Sequence, residues 1–257
     1  MNRLIFILLL LTNSSFAQTK EKFLRNFLIE DKLETKNVLT EYTRFNFSTL
    51  WTQTENNLVF GIIGIDHQRI RIKLTSIQKS PTNPTFYFVL GKSNVKGIIC
   101  DFSGTIKLSE IKKIKELHFG VDDEYRDKGV KSQGILFADY EFKENPNLKN
   151  SGIFKGRLYT KWYLNSSNQI KYDDMGLNAD GYMNNAFVGT WKDFSSDKEK
   201  KCNWGDFRVP EANQDFDIGV GDFSPSEKYN EKGWESFQKA MKGDEVAKNE
   251  ELKEWWK

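Results

Sequence analysis

Seven aspartates in the second half of the chain have the chemistry and spacing best suited to catalysis: Asp173, Asp174, Asp180, Asp206, Asp215, Asp217 and Asp222. Two carboxyls facing each other about 5–9.5 Å apart across a cleft would cleave a glycosidic bond, one as acid and the other as nucleophile or base. The run Asn213-Gln214-Asp215-Phe216-Asp217-Ile218 also sets oxygen ligands at alternate positions, a pattern for a loosely organised cation site. A calcium helix-loop-helix would need Gly at 218 and an acid at 224, where the chain has Ile218 and Ser224. The same alternation fits a strand with Asp215 and Asp217 on a wet face and Phe216 and Ile218 on a buried one.

Residues 187–210 gather a second group of chemically capable side chains: Trp191, Trp204, Asp206 and Arg208. An aromatic face can stack a sugar or a ring while neighbouring polar groups fix its orientation. A core tryptophan beside an Asp–Arg ion pair would have the same composition. Other chemistries are poorly served. The two histidines, His67 and His118, leave few ways to build a His-dependent nucleophile. Gly91-Lys92-Ser93 resembles the end of a phosphate loop, but Phe86 stands where that motif needs Gly. No Gly-x-Ser-x-Gly elbow and no His-Glu-x-x-His pair occurs. No ligand set has metal-finger spacing, so neither a metal nor another cofactor is expected.

The elements that must hold these residues begin at about residue 37, where the pattern changes to short β-type runs. Arg69-Ile70-Arg71-Ile72-Lys73-Leu74 alternates basic and apolar residues, which predicts a strand with one buried and one wet face. Strand patterns recur at 58–65, 85–90, 105–108, 134–142, 156–164 and 186–194, separated by polar Pro, Asn and Gly turns. Strand after strand without intervening helices predicts an all-β, mainly antiparallel barrel or sandwich over 37–223. Ser224-Pro225-Ser226-Glu227 has the order of a capped helix start, followed by Trp234, Phe237 and Met241 at helical spacing and Gly243 as a stop. A helical C-terminal segment is therefore expected over 224–257, ending in Trp255-Trp256. Residues 18–36 read as a short amphipathic helix or lead-in.

Residues 1–17 have the pattern of an export signal: Arg3, an apolar run over 4–11, and Ser15-Phe16-Ala17 before a cleavage point. That run is too short to span a bilayer, which takes about 20 apolar residues, and no later run reaches that length. The expected location is periplasmic or extracellular. Removing the signal leaves 37 basic against 36 acidic residues, so no overall attraction to nucleic acid is expected. In an oxidising compartment Cys100 and Cys202 invite a disulfide, worth as much as ~4–5 kcal/mol for a loop of this size. Two separate buried thiols are the alternative.

Gly189-Thr190-Trp191 resembles the Gly-x-Trp signature of lipocalin and avidin barrels, which implies a Trp closing one barrel end and a small apolar ligand inside. Asn184-Asn185-Ala186-Phe187-Val188-Gly189-Thr190-Trp191 and Cys202-Asn203-Trp204-Gly205-Asp206 are similar to phrases of uncharacterised exported proteins of Bacteroidetes-type bacteria. That likeness implies localisation and no activity.

With 20 Phe, 9 Tyr and 7 Trp and no recognisable catalytic set, the leading expectation is a non-catalytic exported protein. It would bind a small molecule, glycan or envelope partner through Trp191, Trp204, Asp206, Arg208, Asp215 and Asp217. The rivals are a carboxylate-dependent hydrolase and an interaction module docking through the Trp255-Trp256 helix.

Overall fold

The computed structural model describes residues 32–196 and 198–257. The export signal at 1–17 and the lead-in up to residue 31 lie outside the described residues. Ten strands form one antiparallel sheet: β1 (Val59–Ile63), β2 (Gln68–Arg69), β3 (Arg71–Lys79), β4 (Phe86–Val95), β5 (Ile98–Lys113), β6 (Val130–Glu144), β7 (Gly152–Asn165), β8 (Ile170–Tyr172), β9 (Asn184–Asp193) and β10 (Glu199–Asp206). Their order is β2-β1-β10-β9-β7-β6-β5-β4-β3, with β8 beside the end of β7. The two ends of this path are consecutive in sequence, separated only by Ile70. That stretch bonds β1 on one edge, where the Ile70 N–H donates to Gly61 O, and β4 on the other. The sheet therefore curls into a barrel-like shape in which nearly every strand neighbours its predecessor.

Alternation sets the inner face. Ile106, Ala138, Tyr140, Phe142, Phe154, Leu158, Phe187 and Trp204 point inward and are buried. Tyr140, Phe142, Phe154 and Phe187 pack around Trp204 with ring centroids 4.7–6.5 Å away. Phe102, Phe154 and Phe187 are each followed two residues later by an inward glycine. At Gly189 a Cβ would lie 2.7 Å from the Tyr140 hydroxyl and 2.2 Å from Lys155 O, so glycine leaves the room that the aromatic core needs. One end of the barrel is closed by residues 38–51, where α1 (Leu39–Tyr42) and a short 3-10 turn insert Val38, Tyr42, Phe47, Leu50 and Trp51 into the same core.

The strand pattern read from sequence is present, with β4 to β7 longer than the apolar runs alone indicated and β1 shorter, ending at Ile63. β10 is an additional strand. Residues 213–222 do not form the strand that their alternation predicted. Asp217 makes only an isolated bridge to Pro225, with Phe216 buried and Ile218 exposed. The C-terminal helix starts later than its cap pattern indicated. A 3-10 turn spans Glu227–Lys232, Gly233 breaks the path at φ +91°, and α2 (Glu235–Met241) and α3 (Glu245–Glu251) follow. Trp234 and Phe237 pack with Phe60, Ile62, Phe216 and Phe223 on the outside of β1.

Two expectations are corrected by this packing. Cys100 and Cys202 form no disulfide; both are free and buried. They sit on β5 and β10, which are separated by three strands along the path through β9, β7 and β6. The basic side of the Arg69–Leu74 alternation is also not a simply wet face. Arg69 is buried and Arg71 half-buried, because α3 lies over them and Glu251 pairs with both. The Trp255-Trp256 pair packs in the same region, with Trp255 Nε1 donating to Asn56 Oδ1 at 3.0 Å and Lys73 Nζ over the Trp256 ring.

Candidate functional site

A meander brings alternate turns to the same end of a barrel. Here the β1–β2, β4–β5, β6–β7 and β9–β10 turns ring the end opposite the 38–51 plug. Lys96 and Gly97, both at positive φ, form a tight two-residue turn between β4 and β5. Inside this ring opens a cavity of about 820 Å³, within the range for small-ligand sites. Ile63, Ile70, Cys100, Phe154 and Trp191 supply apolar lining. Phe154 also belongs to the aromatic core beneath, so the cavity is a mouth with a solid floor rather than a hollow barrel.

One carboxyl is set into this floor. Along β6 the inward register runs Ala138, Tyr140, Phe142 and then Glu144, which is 4% exposed. Ser93 Oγ donates to Glu144 Oε1, while Gly152 N at 2.8 Å and Trp191 Nε1 at 3.0 Å donate to Oε2. Burial pushes the Glu144 carboxyl above the usual range despite these three donors. The same burial, with Glu144 nearby, raises both thiols, which makes them poor nucleophiles. Trp191 is thus fixed at its indole N–H and stands with Lys200 opposite it on β10. The Lys200 ammonium lies 5.5 Å from the Trp191 ring centroid. This arrangement offers an apolar surface, one rigid indole, one buried carboxyl and a cationic rim. It contains no activated nucleophile.

The other residues singled out from sequence lie elsewhere. Trp204 is in the barrel core. Asp206 is buried at the plugged end, where Oδ2 accepts from Thr54 Oγ1, Tyr172 OH and Asn185 Nδ2 at 2.7–2.8 Å. Burial pushes its pKa up to about 7. Arg208 pairs with Asp217 at 2.8 Å and donates to the carbonyls of Gly219, Val220 and Gly221, beside a separate cavity of about 580 Å³. Asp215 is on the surface with Lys228. Of the six binding candidates, only Trp191 lines the mouth.

No family model, curated protein or solved structure matches the chain.

A third cavity, of about 520 Å³, lies outside β6 and β7. It holds a His–Asp contact, His118 Nε2 to Asp173 Oδ2 at 3.3 Å, with Lys161 Nζ over the Tyr182 ring at 5.2 Å. Burial lowers Lys161. Gln133 and the Met175 N–H also reach the Asp173 carboxyl. Asp173, Asp206, Asp215 and Asp217 are therefore each committed to different partners in different surroundings. Among the described residues no group of three or more His, Cys, Asp and Glu side chains is placed to hold a metal ion, and no helix is long and apolar enough to cross a membrane.

Sequence reading assigns none of Glu144, Ser93, Lys200, Ile63 and Ile70 to a binding site, although it places Ile70 on a buried strand face and Ser93 in a rejected phosphate-loop pattern. The available signal for Glu144 was its register, since it continues the inward series of Tyr140 and Phe142.

Proposed function

We propose that the protein is a non-catalytic binder that takes up a small organic molecule at the open end of its barrel. The carrying observation is the cavity of about 820 Å³ whose apolar lining includes Trp191, held in place by the buried Glu144. Rigid aromatic and aliphatic surface provides contact area, and a few fixed polar groups provide orientation. The filled core below restricts the occupant to the mouth. The export pattern at 1–17 supports a role outside the cytoplasm, where such a binder would meet free small molecules.

The hydrolase alternative needs two carboxyls free to face one substrate. The partners of Asp173, Asp206, Asp215 and Asp217 weigh against it. The packing of Trp255 and Trp256 against β3 and Asn56 likewise weighs against the docking-helix alternative.

Trp191 alone among the described tryptophans lines the mouth, so it can report on occupancy. Titration with a panel of dodecyl amphiphiles and oligosaccharides is expected to give a saturable change in tryptophan emission. Trp191→Phe should remove that change and weaken binding roughly tenfold. Because Trp191 is buried and bonds Glu144, the variant should also lose thermal stability, so affinities are compared well below its melting temperature. A flat response to the whole panel, or an undiminished response in the variant, contradicts the proposal.

A further inference from the structure

We infer that the molecule taken up at the mouth is a single-chain amphipathic anion, its apolar chain along the exposed Ile65 and Ile98 rim, above a floor of buried Ile63, Ile70, Phe154 and Trp191, and its charged head against Lys200. This inference rests on the binding reading above and adds the charge of the ligand. The first observation is the register of β10. Alternation turns Lys200, Cys202 and Trp204 toward the barrel interior and Lys201 and Asn203 outward, where Lys201 meets Glu211 and Asn203 meets Pro210 O. Lys200 is exposed at the mouth, with its ammonium beside the Trp191 ring, where it is placed to meet the head of a bound anion.

The second observation is where the acids point. Glu199 and Thr190 are hydrogen-bonded to each other on the outer face. Asp193 Oδ1 accepts from the backbone and hydroxyls of Ser195 and Ser196, which pull its pKa down to about 2. Asp193 thus stays ionised, but its Oδ1 is turned into its own turn by these donors. Glu144 lies at the floor, and Asp66 sits at a turn tip. Facing them around the opening are Lys96, Lys198, Lys200 and Lys232. The third observation is the apolar character of the rim itself: Ile65 is 91% exposed and Ile98 49% exposed. An occupant that extends past the floor therefore meets both hydrocarbon and ammonium groups. An anion with a hydrocarbon chain satisfies both, whereas a cation would meet four lysines and a sugar would leave the isoleucines in water.

The test compares three probes with the same chain, each below its micellar concentration: dodecanoate, dodecyl maltoside and dodecyltrimethylammonium. Dodecanoate is expected to bind at least ~10-fold more tightly than the other two, with affinity falling as salt rises. Lys200→Glu should remove that preference. Lys171→Glu, the same charge change on exposed β8 at the far end of the barrel, should leave it intact, and thermal melts of both variants control for folding. Equal or tighter binding of the maltoside or the ammonium probe overturns the anion inference and leaves the binding reading standing. Binding of no probe overturns both. Binding only to phosphatidylglycerol vesicles, with none to monomeric dodecanoate, overturns the single-chain assignment.

Discussion

Replacing Glu251 with alanine is expected to destabilise the folded protein by about 3–5 kcal/mol, the cost of stranding a buried charge whose partner has been removed. Arg69 Nη1 and Nη2 donate to the two Glu251 oxygens at 2.8 and 2.5 Å, Arg71 approaches at 3.0 Å, and Ser236 Oγ donates to Oε1. Burial by itself would raise the Glu251 carboxyl. Arg69, Arg71 and Ser236 together outweigh it and hold the group below the usual carboxylate range. Without the carboxylate, two guanidinium groups face each other under α3, and Arg69 keeps only Gly233 O and the Trp234 and Phe237 rings. Those contacts do not neutralise it. Urea unfolding should therefore show a much lower midpoint for Glu251→Ala. Glu251→Gln should fall between the two, because it keeps one acceptor. A midpoint unchanged in Glu251→Ala would mean that the C-terminal segment contributes nothing to the stability of the barrel.

The second large effect is a pH dependence centred on Asp206. Its folded pKa of about 7 stands above the ordinary 3.8, so the unfolded chain releases this proton first as pH rises. The stabilisation is fully present below about pH 4 and is lost as pH climbs through 7. At about 1.4 kcal/mol for each pH unit between the folded and unfolded values, the loss is a little over ~4 kcal/mol by pH 8. The cause is burial. Thr54, Tyr172 and Asn185 all donate to one oxygen and lower the pKa, yet they do not replace the lost hydration. Asp206→Asn keeps an acceptor for those donors and cannot ionise. Guanidinium unfolding of both proteins between pH 4.5 and 8 should show wild-type stability falling relative to the variant as pH rises. Parallel curves across that range would place the Asp206 pKa near the ordinary carboxylate value and contradict the buried network.

How far each of these features was legible in the sequence follows from what its surroundings demand. β6 and β7 bury one face against aromatic neighbours, so their alternation of apolar residues was readable. β10 was not, because its inner face reads Lys200, Cys202, Trp204 and Asp206. That series is polar at both ends, with one end at the wet mouth and the other at the Thr54–Tyr172–Asn185 network. The plug at 38–51 was hidden for a different reason. Its turns are too short to show helical periodicity, and they are held by tertiary bonds such as Trp51 Nε1 to Thr160 Oγ1 and Asn185 Nδ2 to Leu50 O. The alternation of Arg69, Arg71 and Lys73 was read correctly as a strand, but nothing local could tell that Glu251 would cover its basic face. Compartment chemistry made a Cys100–Cys202 bridge reasonable, while only the strand order shows that β5 and β10 are kept apart. Trp191 stood out by its Gly-x-Trp setting. Its partner Glu144 was marked only by continuing the inward series of Tyr140 and Phe142, a signal that gains meaning once the assembled barrel places Ser93, Gly152 and Trp191 around it.

Amide chemical-shift mapping with dodecanoate and dodecyl maltoside tests most directly the claim that the open end of the barrel is the binding site. The account predicts saturable shifts concentrated at residues 64–70, 93–98 and 190–201, with residues 38–51 and the surroundings of His118 and Asp173 unmoved. Shifts clustered around His118, Asp173 and Tyr182 instead, or no saturable shifts with either probe, would contradict it.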